Sequence, residues 1–177
     1  MIRNYINFFH SLTASILSYF YIINPEKTLK KTIFYISHTY FLQDTYHIRN
    51  EDILDITHHL LSLVVLYFFY IGYYEDILIR LFNYAEISNI VLFGHHIILK
   101  KYDDRRILLL SSILEFIIYT YYRVFLITQL LIDNYNIIFT PLSPLLLIYY
   151  MSIDWSFTLF IKLYEDIKSL KFDIIIH

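Results

Sequence analysis

The sequence predicts an all-α fold, a polytopic membrane helix bundle of about six transmembrane helices forming a single domain over residues 1–177, and three observations carry that expectation. Hydrophobic residues make up 58% of the chain and charged residues only 17%, with a mean hydropathy of +0.51. Ordinary soluble chains are about 45–50% apolar and about 25% charged, and a soluble protein of this size could not hide the excess in one core. The apolar residues also fall in runs near the ~20 residues that a helix needs to cross the hydrocarbon of a bilayer. Finally, the charges are concentrated in short clusters between those runs.

The first span is expected over 5–23, ending at Asn24-Pro25-Glu26-Lys27, and the second over 32–48, ending at Arg49-Asn50-Glu51-Asp52. The first lacks a small-residue cleavage site and reads as a retained signal anchor. The second is interrupted by Ser37, His38, Gln43 and Asp44 and needs shielding by its neighbours. Further spans follow over 53–72, 77–99, 107–132 and 137–161, and a charged tail covers 162–177. Pro141 and Pro144 are expected in the first turns of the sixth span, where a missing N–H is tolerated. No repeat or Pro/Gly/Ser linker divides the chain.

With six spans, both termini share a face. That face carries Arg3, Arg49, Lys100, Lys101, Arg105, Arg106, Lys162, Lys168 and Lys171, nine basic residues against four (Lys27, Lys30, Lys31 and Arg80) on the other. Short basic loops stay in the cytoplasm, so both termini are expected there. The basic residues form no stripe with interleaved aromatics, which argues against nucleic-acid binding. The absence of cysteine removes disulfide scaffolds, thiolate zinc sites and cysteine nucleophiles.

Ionisable groups inside a span usually face the bundle interior and are candidates for function. Here the polar groups within the spans include His10, Asp44, His58, His59, His95, His96 and Glu115 toward the cytoplasmic side, with Glu86, Ser88, Asn89, Arg123 and Asp154 nearer the middle. Asp55 precedes His58 by three residues and His59 by four, so it shares their helical face and could orient an imidazole. Glu115 and Arg123 are two turns apart on one face, with a carboxylate on another helix as the expected partner of Arg123, in the structural alternative Glu115 or Asp154. Adjacent histidines point about 100° apart on a helix and do not readily share a metal. No metal site is therefore expected.

The run His58-His59-Leu-Leu-Ser62 followed by Glu86-Ile-Ser88-Asn89 resembles the signature of the TLC domain family, which includes the ceramide synthases. In the ceramide-synthase pattern a His-His pair leads to an Asp-x-Ser-Asp group in the next span, and Glu86, Ser88 and Asn89 fall on that group's positions. His10-Ser11, the segment from Tyr40 to Asp44, Arg123 and Asp154-Trp155 agree more loosely. One acid of the motif is lengthened and the other is an amide. The resemblance implies a small TLC-domain membrane protein in lipid handling, regulation or trafficking, with membrane lipids as partners and residence in the endoplasmic reticulum or a derived membrane. The alternative it implies is a sphingolipid N-acyltransferase, moving an acyl chain from acyl-CoA, as co-substrate, to a sphingoid base. In that case His58, His59, Glu86 and Asn89 are the candidate catalytic residues, one histidine acting as general base. Asp44, Asp55, Ser88, Arg123 and Asp154 would orient or pair. No resident cofactor is implied.

Overall fold

A computed structural model describes residues 2–48 and 53–176. The chain is an all-α bundle: α1 (Ile2–Ile23), α2 (Lys27–Ile48), α3 (Ile53–Ile71), α4 (Glu75–Lys101), α5 (Arg105–Tyr119), a π-helical segment (Thr120–Leu126), α6 (Ile127–Asp133), a 3₁₀ turn (Tyr135–Phe139) and α7 (Leu145–Ile176). α5, the π segment and α6 form one continuous rod. Among the described residues four rods are long and apolar enough to cross a membrane, namely Ile2–Ile23, Glu75–Lys101, Arg105–Asp133 and Leu145–Lys168, and Ile56–Ile71 is a shorter apolar stretch. The chain is a multi-pass membrane protein. Large apolar side chains such as Phe9, Phe20, Phe125, Tyr150 and Phe157 point outward, as a bundle solvated by lipid requires.

α1 packs chiefly on α4, and the sequence explains how closely. Ser11, Ala14, Ser15 and Ser18 are buried and place small side chains on one face of α1, the pattern that lets backbones approach in a membrane. Asn83 of α4 locks the contact by donating to the Ser15 carbonyl (2.8 Å) and to Ser18 Oγ (2.7 Å). α2, too polar to count among the four apolar rods, packs on α3 and α1. At its start Lys30 donates to Glu75, which also accepts from the Tyr21 hydroxyl, tying α1, α2 and α4 together.

The chain reverses between α3 and α4 through Gly72, whose φ of +85° suits a residue without Cβ. The Tyr73 N–H bonds Phe68 O and the Gly72 N–H bonds Phe69 O, closing the end of α3. α5 starts on Asp104, whose carboxylate accepts from the Arg106 N–H at 2.8 Å.

Two expected boundaries move. The last helix begins at Leu145, not 137, so Pro141 and Pro144 precede it. Neither proline can donate, and each biases its predecessor away from the α conformation; the 3-residue-spaced bonds Leu145 to Leu142, Leu146 to Ser143 and Leu147 to Pro144 lead into the helix instead. The tail is not separate either, because α7 continues helically to Ile176. Its 32 residues span about 48 Å, well beyond the ~30 Å of hydrocarbon. The expected stop at 49–52 lies outside the described residues.

Candidate functional site

Arg123 organises the interior. It is 2% exposed, although it stands within the rod Arg105–Asp133. Its Nε donates to Ser88 Oγ at 2.8 Å, and one terminal nitrogen donates to Asn89 Oδ1 at 2.9 Å and to the Ala85 carbonyl at 3.4 Å. The Ser88 hydroxyl itself donates a hydrogen bond to that same carbonyl (2.7 Å). Asn89 turns its amide nitrogen toward Glu86 Oε2 (3.5 Å), and Glu86 lies 3.9 Å from His10 Nδ1. A polar chain thus runs from Arg123 through Asn89 and Glu86 to His10. The expected carboxylate partner of Arg123 is absent among the described residues: its acceptors are neutral groups of α4.

The backbone explains why Arg123 faces inward. Glu115, Tyr119, Arg123, Ile127 and Leu131 are all buried at strict four-residue spacing. In an unbroken α-helix that stripe would drift about 160° over its length. The π segment Thr120–Leu126 takes up an extra residue and holds the stripe on one side. Such segments recur at functional sites.

A cavity opens beside this chain, lined by His58, Ser62, Glu86, Asn89 and Arg123 and by apolar residues including Leu81, Phe82, Ile127, Leu131, Leu145 and Ile148. Its volume is about 60 Å³. His58 Nδ1 is buried without a hydrogen-bond partner, and its ring packs edge-on against Trp155, the centroids 5.4 Å apart.

The two neighbouring histidines serve different places. The rings of His58 and His59 are perpendicular, with centroids 5.7 Å apart. His59 Nε2 lies 3.5 Å from Asp44 Oδ2, and Asp44 also accepts from Arg3 Nε at 3.0 Å. Asp44 thus fills the orienting position toward His59. Asp55 stands in the first turn of α3, and its side chain lies outside the described part of the structure. Asp154 joins neither group: it is exposed on α7, and among the described residues its side chain makes no hydrogen bond or ion pair, while Thr158 Oγ1 donates to its backbone carbonyl.

Glu115 pairs elsewhere as well. Lys162 Nζ donates to His95 Nε2 (3.0 Å) and stands 3.8 Å from Glu115 Oε2, which is 3.4 Å from the same imidazole nitrogen. With Nε2 accepting from Lys162, the proton belongs on Nδ1, which donates to Ser111 Oγ (2.9 Å); Ser111 then donates to Leu108 O (2.8 Å). This network clips α4, α5 and α7 together. Two residues outside the predicted site are thus important to the interior: Asn83, and His10 as neighbour of Glu86. His10 carried a signal, an ionisable group within a span on its cytoplasmic side, whereas nothing local to Asn83 announces its partner on α1.

No known protein family, curated protein or solved structure matches the chain. The likeness to the TLC family therefore rests on the residues quoted above.

Proposed function

We propose that the chain is a six-span membrane protein of the TLC kind that takes a lipid into the cavity between α3, α4, the α5–α6 rod and α7, in lipid handling, regulation or trafficking. The observation that carries this reading is the mixed lining: the hydrogen-bonding and charged side chains of His58, Ser62, Glu86, Asn89 and Arg123 together with aliphatic and aromatic ones. That combination matches an amphiphile and is the usual character of a ligand site. In this reading α2 and α3 complete the six spans, both termini are cytoplasmic, and the protein resides in the endoplasmic reticulum or a derived membrane. Lipid probes with a photoactivatable group in the chain, incorporated into nanodiscs holding the protein, should label Leu81, Phe82, Ile127 or Leu131. Labelling confined to outward residues such as Phe125 and Phe157 would exclude the reading.

A second reading, N-acyl transfer from acyl-CoA to a sphingoid base, draws on one atom. His58 Nδ1 has no partner, so the imidazole is available to take the proton that an attacking amine releases. His59, held at Asp44, would not share that work. Expression in cells without their own ceramide synthases should then yield N-acylated sphingoid bases, by mass spectrometry, that disappear in His58→Ala. Amounts equal to the empty-vector control would remove the enzyme reading.

A further inference from the structure

We infer that the cavity selects an amphiphile with a small anionic oxyanion head, and that Arg123 is its counter-ion; the inference rests on the lipid-binding reading above. Arg123 is almost fully buried, and every acceptor it has is neutral: Ser88 Oγ, Asn89 Oδ1 and the Ala85 carbonyl. These occupy Nε and one terminal nitrogen. The other terminal nitrogen has no hydrogen-bond partner among the described residues, the guanidinium carbon lies 5.7 Å from the centre of the Tyr119 ring, and Arg123 lines the cavity. A buried cation without a nearby anion is unfavourable, and a planar fork of five donors is matched best by a carboxylate or phosphate.

The nearest acid in the lining, Glu86, is committed elsewhere. Its Oε2 takes the Asn89 amide (3.5 Å) and lies 3.9 Å from His10 Nδ1, so it makes no ion pair with Arg123. Asn89 is decisive in this arrangement. A carboxylate in its place would close an ion pair on Arg123; the amide instead holds the guanidinium in position while leaving its charge uncompensated. His58 borders the same cavity with an unpartnered nitrogen and can supply a further donor to an oxyanion. A cationic head would meet the guanidinium and be repelled. Leu81, Phe82, Ile127 and Leu131 of the same lining offer apolar contact to a single chain.

The test uses the full chain in phosphatidylcholine nanodiscs and four probes sharing one 16-carbon diazirine chain but ending in a carboxylate, a phosphate, an alcohol or an amine. Labelling of cavity residues is read by mass spectrometry. The carboxylate or phosphate probe is expected to label at least tenfold more than the alcohol or amine probe, and comparison of the two anions distinguishes a fatty acid from a phosphorylated lipid. Arg123→Gln is expected to abolish the preference. Asn89→Asp, which puts a competing carboxylate on the guanidinium without removing it, should do the same and guards against misfolding of the first variant. Equal labelling by all four heads, or a preference for the amine, overturns the anionic head while lipid binding stands. Absence of cavity labelling by any probe overturns both.

Discussion

His58 and His59 are adjacent in sequence but divided in role, and the division makes a test. His58 borders the cavity with a free ring nitrogen, whereas His59 meets Asp44, which Arg3 also holds. Replacing His58 by Ala should lower lipid labelling in the cavity severalfold and leave the melting temperature in detergent nearly unchanged. His59→Ala should do the reverse, costing about 1 kcal/mol of stability through the lost contact with a charged acceptor while labelling persists. Equal effects of the two changes on labelling would show that the pair works as a unit. Much of this site was legible in the sequence, because ionisable residues in apolar runs have few reasons to be there: Glu86, Ser88, Asn89, Arg123 and His58 do come together. Their partners were not legible. Spacing along one helix says which residues share a face, but which helix that face meets depends on packing, so Arg123 was expected on a carboxylate and Asp154 in the interior. Arg123 instead bonds neutral groups of α4, and Asp154 is exposed.

Among the elements, the rod from Arg105 to Asp133 shows how backbone geometry serves a side chain. Four-residue spacing of Glu115, Tyr119, Arg123, Ile127 and Leu131 contradicts a regular α-helix, and the π segment resolves the contradiction by absorbing one residue. The spacing was present in the sequence, but apolar runs define spans without fixing their internal winding. Deleting Tyr121, an exposed residue of the segment, should restore α-helical bonding while Glu115 and Ile127 keep their side of the rod. Helix content by circular dichroism should then hold, while cavity labelling falls at least fivefold because Arg123 has shifted against Ser88 and Asn89. Retained labelling would mean that the π turn is incidental to the site. The α1–α4 contact makes a complementary prediction. Asn83→Ala removes two interhelical bonds and should cost about 1 kcal/mol, whereas Ser18→Leu forces bulk into the small-residue face and should cost about 1–3 kcal/mol, both measured by detergent unfolding. The order of the two effects tells whether close approach or hydrogen bonding dominates that interface.

For the whole molecule, the bundle has two unlike ends. One gathers Arg3 of α1, Lys100 and Lys101 of α4 and Lys162 of α7, and Asn4, Tyr5, Lys100 and Lys101 border a common groove there. The other holds the Tyr21–Lys30–Glu75 cluster and the short turn at Gly72. In the six-span reading proposed above, the nine-to-four asymmetry of Lys and Arg counted along the sequence would act across the membrane. Retention of basic segments in the cytoplasm then determines orientation. A glycosylation acceptor inserted between Asp133 and Asn136 should be modified in microsomes, and one placed after Lys171, at the far end of α7, should not. Replacing Lys100, Lys101, Arg105 and Arg106 by Gln reduces the majority from nine to five against an unchanged four. With so small a remaining bias the chain should insert in both orientations, seen as loss of part of the loop modification and appearance of tail modification. If the altered chain keeps a single orientation, α1 alone directs insertion, because Arg3 and the apolar run behind it are untouched. If the unaltered chain is modified on its tail, the basic end faces the opposite compartment, and a cytosolic acyl donor could no longer reach His58 from the side that Arg3 and Lys162 mark.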